Sequence, residues 1–164
     1  MIRYARAADH PAIAEVNTAA FGQPDEAALI ERLRADGDVL FELVSETDGR
    51  VDGHILFSRL WADRNEMFAA LAPMAVHPAR QRGGLGSALV RAGLDSAREF
   101  GAHGVLVLGH PAYYPRFGFA AATAAKVASP YSGSPAFMAL ALEDGAFDEP
   151  LHVAYPEAFA AGAS

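Results

Sequence analysis

The stretch from Met67 to Phe100 constrains the fold most. "MFAALAPMAV", residues 67 to 76, is apolar on both faces and reads as a strand inside a sheet. It passes through "HPARQRGGLG" straight into a second apolar pattern of different period. Leu85, Ala88, Leu89, Ala92, Gly93, Ser96, Ala97 and Phe100 fall on one stripe of a helix running from about Gly84 to Phe100. A central strand, a glycine loop and an amphipathic helix in that order belong to an α/β domain. Pro73 lies within the strand and has no amide hydrogen to give to a ladder, so the strand is predicted to break or bulge there.

The rest of the chain is consistent with one mixed sheet. "MIRYARA" begins as a strand over Ile2 to Arg6. Asp9 is placed to cap a helix with Pro11 in its first turn, and "GQP" ends it. A second helix starts at Asp25 and stops at "ADGD". Two apolar runs, 39 to 46 and 51 to 60, flank "TDGR", a hairpin signal. "GVLVLG" reads as a short buried strand, "HPAYYPRFGF" as a turn or short helix, and "AFMALALE", 136 to 143, as a late strand. The order is βααβββαβαβ, with room for an extra strand near 120 to 128. The acidic tail, 144 to 164, is expected to be loose in its last few residues.

A chain of 164 residues suits one domain with one sizeable core. It has no cysteine, which excludes disulfides, thiolate zinc sites and cysteine nucleophiles. The first residues lack the ~7–15 residue apolar core of a signal peptide, and no run approaches the ~18 apolar residues of a membrane span. A cytoplasmic protein without membrane contact is the expectation. The net charge of −7 argues against nucleic acid as a partner. The acids are unevenly placed, however. None falls between Met67 and Leu94, where an even spread of the chain's 20 acids predicts about three, and Arg80, Arg82 and Arg91 lie in that window. The six histidines lack paired ligand spacing, so no metal is expected.

A glycine loop opening a helix is an anion site for a physical reason. The first helical turn has unpaired N–H groups and partial positive charge, and glycine lets an anion approach the backbone closely. Arg82 and Ser87 can add contacts. A Walker loop needs a lysine before Ser or Thr, and Gly86-Ser87 has none. A dinucleotide fingerprint needs a third glycine at position 89, which is Leu, and an acid after the next strand, which ends Leu108-Gly109-His110. Taken alone, the loop reads equally as a glycine turn capping a helix.

The residues Gln81-Arg82-Gly83-Gly84-Leu85-Gly86 match the Q/R-x-x-G-x-G/A signature of the GNAT (GCN5-related) N-acetyltransferases. Downstream, Tyr114-Pro115-Arg116-Phe117-Gly118-Phe119 matches that family's Y-x-x-x-G-F. The chain resembles the family over about residues 1 to 142, and its "VLG" and "PAYYPRFGF" look like the YhbS-like group of predicted acetyltransferases. The resemblance implies a mixed, mostly antiparallel central sheet flanked by helices, with a splayed central strand at an acetyl-CoA cleft. It implies an N-acetyltransferase domain over 1–143 and a C-terminal extension, 144–164, packing on the domain or loose at its end. Backbone groups of Met74, Ala75 and Val76 would pair with the pantetheine arm. The loop Gln81, Arg82, Gly83, Gly84, Leu85, Gly86 and Ser87 would hold the cofactor, its pyrophosphate on the N–H groups of Arg82 to Ser87.

The implied reaction moves an acetyl group from the thioester to a primary amine, on a small molecule or a protein, by direct attack. Tyr114, at the motif's tyrosine, is the candidate donor to the departing sulfur, with Tyr113 its nearest rival. No general base is legible: His54 could face the cleft but reads more readily as a core histidine, and Glu26 and Glu66 are possible bases of a kind more often found as solvated surface acids. The relatives often carry Asp where this chain has His110, which leaves acceptor and base open. Glu143, Asp144, Asp148 and Glu149 would attract a cationic amine only if they lined the cleft. Two further readings stand beside this one: an acyl-CoA-binding sensor with weak catalysis, and a nucleotide-binding domain sharing only a glycine loop. Pairing of the late strand and tail between copies would give a homodimer.

Overall fold

The computed structural model describes residues 1–161. In chain order it has β1 (Ile2–Tyr4), α1 (His10–Phe21), α2 (Asp25–Ala35), β2 (Val39–Thr47), β3 (Arg50–Ala62) and β4 (Met67–Val76). Then follow α3 (Leu85–Glu99), β5 (Ala102–Leu108), β6 (Val127–Ala128), β7 (Phe137–Ala141), β8 (Leu151–Ala154) and α4 (Glu157–Ala161). The main sheet runs β1-β2-β3-β4-β5-β7, while β8 pairs with the end of β3 and with β6. Every pairing is antiparallel except β4 with β5 and β6 with β8. This is the mixed, mostly antiparallel sheet with flanking helices that the sequence predicts. No helix among the described residues is long and apolar enough to cross a membrane.

Period-two patterning divides the core between two faces. On β3, Ile55 and Phe57 point to the α3 side, where they pack with Leu89, Val90, Leu94 and Ala97. Leu56 points the other way, to Ile13 of α1 and Ile30 and Leu33 of α2. The "TDGR" hairpin forms as expected, with Asp48 (φ 52°) and Gly49 (φ 78°) both left-handed, as a two-residue turn between twisted strands requires.

The first strand stops two residues early. Asp9 occupies the N-cap position of α1 but does not cap it through its side chain. Its carboxylate accepts from the Arg6 N–H at 2.7 Å and from Arg3 Nη1 and Nη2 at 2.7 and 3.0 Å, which turns the chain at Arg6. The tail is a working part of the domain. Leu151 and Val153 of β8 are buried in the core, and α4 rests against α2. The loose end expected for the last few residues lies outside the described residues.

A polar network is buried between the sheet and α1. His54 is fully buried on β3. Its Nε2 lies 2.8 Å from Glu42 Oε1 and its Nδ1 lies 3.1 Å from Asn17 Nδ2. An amide nitrogen can only donate, so Nδ1 accepts and Nε2–H donates, which is the neutral ring. Arg34 closes the network with two bonds to Glu42, at 2.8 and 2.9 Å. Burial holds the His54 pKa below its ordinary 6.5, against the pull of Glu42. Burial pushes the Glu42 carboxyl up, but hydrogen bonds from His54 and Arg34 outweigh it and hold the group at about 2.

Both groups make the fold weaken in acid. Below pH 6.5 the unfolded chain takes a proton on His54 that the folded one declines. Glu42 contributes fully above 4.5, and its contribution is lost as pH falls through about 2. A displacement of that size is worth on the order of 3 kcal/mol. Urea unfolding at pH 7, 5 and 3 is therefore expected to show a steadily falling midpoint, and Glu42→Gln should flatten the limb between pH 5 and 3. An acid limb as steep in that variant as in the parent would show that other carboxylates cause it.

Candidate functional site

The site begins where β4 loses a neighbour. β4 pairs with β5 from Met67 to Leu71, opposite Ala102 to Val107, and no further. β5 continues against β7 to Leu108, while β4 stays with β3 to Val76. The two parallel strands thus diverge after Leu71. The β3–β4 register slips at the same point, because Leu71 pairs with Phe57 but Met74 with Ile55. Ala72 and Pro73 together oppose Leu56, which is a bulge of one extra residue. The bulge also inverts the side-chain alternation. Ala69 and Leu71 face α3 before it, and Met74 and Val76 face α3 after it.

The same period shows which backbone groups are free. The His77 N–H donates to the Asp52 carbonyl at 2.9 Å, so the directly opposed pair 52/77 is hydrogen-bonded. In an antiparallel ladder the next such pair is two residues on, His54 with Ala75. Ala75 therefore gives its N–H and C=O to β3, and Met74 and Val76 turn theirs toward the side that β5 has left. The Val76 carbonyl accepts from Gln81 Nε2 at 3.0 Å, which ties the loop back onto the strand.

The loop then presents a bare helix end. Arg82 (φ 69°) and Gly84 (φ 84°) are both left-handed, and Gly84 is the N-cap of α3 with no side chain to cap it. The first helical bond runs from the Ala88 N–H to the Gly84 carbonyl, which leaves the N–H groups of Leu85, Gly86 and Ser87 without helical partners. The first turn carries no acid. Residues 77 to 84 are exposed. A concave run of N–H groups at a helix N-terminus with positive-φ residues is an anion cradle.

The second motif meets this cradle. Tyr113 Oη lies 3.0 Å from Ser87 Oγ on the first turn of α3. A methyl group on Gly86 would sit 3.4 Å from Met74 Cε and 3.5 Å from the Tyr113 hydroxyl. Tyr114 stands beside Tyr113, ring edge to face at 5.1 Å, and packs on Phe119 at 5.7 Å. It is buried, and burial, then the neighbouring Tyr113, pushes its phenol up to about 12, with no hydrogen bond contributing. Gly109 passes so close to the Tyr114 ring that any Cβ there would overlap it.

The gap between β4 and β5 opens into a cavity of about 430 Å³. Its lining includes Ala72, Pro73 and Met74 of β4, Gly109, His110, Tyr113 and Tyr114 after β5, and Phe21, Glu26, Leu29, Tyr131, Tyr155 and Phe159. Of the predicted residues, Met74 and Tyr114 line the cavity, Gly86 and Ser87 adjoin its lining residues Met74 and Tyr113, and none of Gln81 to Ser87 lines it. Ala75 and Val76 are buried and do not line it. His54 is the core histidine its strand position suggested. Glu66 bridges Arg64 at 3.8 Å and, with Glu143, Asp144, Asp148 and Glu149, stays off the cavity wall. No cluster of His, Cys, Asp or Glu among the described residues could hold a metal ion. Sequence reasoning missed Phe21, Leu29, Tyr131, Tyr155 and Phe159. They come from three separated segments, and the only sign of the last two was aromatic residues in an otherwise small and acidic tail.

Comparison with known proteins agrees with this geometry. The sequence profile of the acetyltransferase (GNAT) family matches residues 8–119. YjhQ of Escherichia coli K12, an uncharacterized N-acetyltransferase, is 42% identical over 113 residues, which are 65% of this chain. That match spans 62% of YjhQ, less than two thirds of its length. The uncharacterized N-acetyltransferase YhbS of the same strain is 38% identical over 121 residues, 73% of this chain and 72% of YhbS. The crystal structure of YhbS from Escherichia coli in complex with CoA superposes with a TM-score of 0.90, covering 98% of this chain and 91% of that one at 34% identity. A GNAT family acetyltransferase from Brucella melitensis, solved with acetyl-CoA, gives 0.79 at 35% identity, covering 97% of each chain.

The contact between Gly109 and Tyr114 can be tested directly. Gly109→Ala forces the ring to move and is expected to lower stability by about 1–3 kcal/mol in urea unfolding. Gly83→Ala, whose Cβ would meet only the Arg80 carbonyl at an ordinary 3.6 Å, should stay within about 0.5 kcal/mol of the parent. Equal effects would show that Gly109 is not needed for close approach.

Proposed function

The chain belongs to the acetyltransferase (GNAT) family, and from that premise we propose that it is an acyltransferase that moves an acetyl group from acetyl-CoA to a primary amine by direct attack. The observation that carries this reading is the divergence of β4 from β5 into a cavity lined by Tyr114, whose neighbour Tyr113 meets the uncapped first turn of α3. The relatives solved with CoA and acetyl-CoA support the choice of cosubstrate. The pyrophosphate rests on the N–H groups of Arg82 to Ser87. The pantetheine arm lies along β4 as an added strand, on the Met74 carbonyl and the Val76 N–H that turn away from β3.

The reaction follows from what these groups can do. The acceptor enters as an ammonium, with an ordinary pKa near ~10.4, and gives one proton to solvent or to a neighbouring base. The freed nitrogen lone pair attacks the thioester carbon, and the Met74 N–H is placed to donate to the carbonyl oxygen as it takes charge. The C–S bond then breaks, the sulfur leaves with the electron pair, and the nitrogen gives its second proton to solvent as the neutral amide forms. Tyr114 donates a hydrogen bond to that sulfur. A phenol near 12 is a weaker acid than a thiol near ~8.5, so Tyr114 stabilises the thiolate without giving up its proton, and the thiolate is protonated from water. Tyr113, whose hydroxyl is engaged with Ser87, is the positioning neighbour.

Titration calorimetry with acetyl-CoA, ATP and NAD tests the cosubstrate. Acetyl-CoA alone is expected to bind in the micromolar range, and ATP or NAD binding as tightly would overturn the reading. Tyr114→Phe is expected to lower kcat about 10²-fold with less than about a twofold change in acetyl-CoA affinity. Because Tyr114 stays protonated to about pH 12, the parent should show no alkaline fall in kcat from this group below pH 10. An unchanged kcat in Tyr114→Phe would remove the residue from the mechanism.

A further inference from the structure

The part of the cavity that the thioester does not need has a composition of its own. Phe21 and Leu29 enter it from α1 and α2, Tyr131 from the loop before β7, and Tyr155 and Phe159 from the tail. The three tail-side rings form one stack of edge-to-face contacts, Tyr131 to Tyr155 at 5.0 Å and Tyr155 to Phe159 at 5.6 Å. Glu26 is the one carboxylate among the described lining residues, and Gln23 Nε2 holds it at 3.2 Å from both oxygens. The Tyr155 hydroxyl is buried without a hydrogen-bond partner among the described residues. That hydroxyl is closed off from the cavity, so Tyr155 presents its ring there and not its polar end.

We infer that the acceptor is a small arylalkylamine: a primary amine on a short chain attached to an aromatic ring. This rests on the acetyl-transfer reading above and names its substrate class. The ring fills the aromatic box made by Tyr131, Tyr155 and Phe159, where edge-to-face packing favours another π-system over an aliphatic chain. Glu26 attracts the ammonium group to the cavity. A polyamine fits poorly, because each further ammonium would enter an apolar wall with no second carboxylate to meet it. A peptide acceptor would need more room than a cavity already shared with the pantetheine arm provides. A volume of about 430 Å³ shared with the end of that arm suits a compact amine.

The test compares acceptors at saturating acetyl-CoA, following release of the free thiol. Tyramine and 2-phenylethylamine are expected to exceed spermidine and a short peptide with a free N-terminus by about 10-fold or more in kcat/KM. Glu26→Gln is expected to raise KM for both aryl amines about 10-fold, with a smaller change in kcat and an unchanged Kd for acetyl-CoA. Preference for spermidine or the peptide, or no acetylation of any of the four amines by protein that binds acetyl-CoA, would overturn the arylalkylamine assignment and leave the cosubstrate reading standing. An unchanged KM in Glu26→Gln would overturn the role given to that carboxylate. Failure of the folded parent to bind acetyl-CoA would overturn the reading on which the inference rests.

Discussion

The site depends on a single missing hydrogen. Pro73 has no amide proton, so β4 cannot continue an unbroken ladder through that position. The chain absorbs this with one extra residue, and the strand emerges from the bulge with its faces exchanged. The exchange has two results at once. It puts the Met74 side chain against the first turn of α3, and it leaves backbone groups of β4 facing a gap where β5 should be. A sheet normally hides such groups, because unpaired N–H and C=O are costly when buried. Here they face the gap that opens where β4–β5 pairing stops, which is what supports the strand-like pairing proposed for the pantetheine arm.

Rigid surroundings keep the slot open. On the α3 face the strands are held by a continuous apolar cluster from Phe41 through Phe57 to Leu94. On the other face the Arg34–Glu42–His54–Asn17 network joins α1 and α2 to β2 and β3. Each member is satisfied through directional bonds, apart from Asn17 Oδ1, which is buried without a partner. A buried charge pair adds little net stability compared with apolar packing, but removing one partner is severe. Its effect here is to set the tilt of two helices whose residues Phe21, Glu26 and Leu29 form a wall of the cavity.

The adjacent tyrosines divide two tasks by position alone. Tyr113 is half-buried and engaged with Ser87, so its hydroxyl locks the second motif to the anion cradle. Tyr114 is buried behind Gly109, with no hydrogen bond contributing to its raised pKa. Burial makes it a poor acid and a stable donor over a wide pH range, which supports the role proposed for it at the leaving sulfur. The chemistry of the two side chains is identical, and only their surroundings separate them.

Much of this was legible in the sequence because it rests on local rules. The apolar period of 67 to 76 and of 85 to 100, the proline inside the strand, the Asp-Gly hairpin and the uncapped glycine loop are each set by neighbours along the chain. So is the second motif, with its tyrosine. Helix and strand ends were less legible where a distant side chain intervened, as when Asp9 turned from capping α1 to binding Arg3 and the Arg6 amide. The direction of the Ala75 backbone was also hidden, since it follows from register with β3. What only the tertiary structure decided is the aromatic wall of the cavity. Phe21, Tyr131 and Tyr155 lie far apart in sequence and share no spacing, and a tail read as an extension became a strand and a side of the cavity. Local periodicity determines which elements form and which faces they bury. It carries no information on which side chains from separate elements meet, because that depends on how the whole sheet twists and closes.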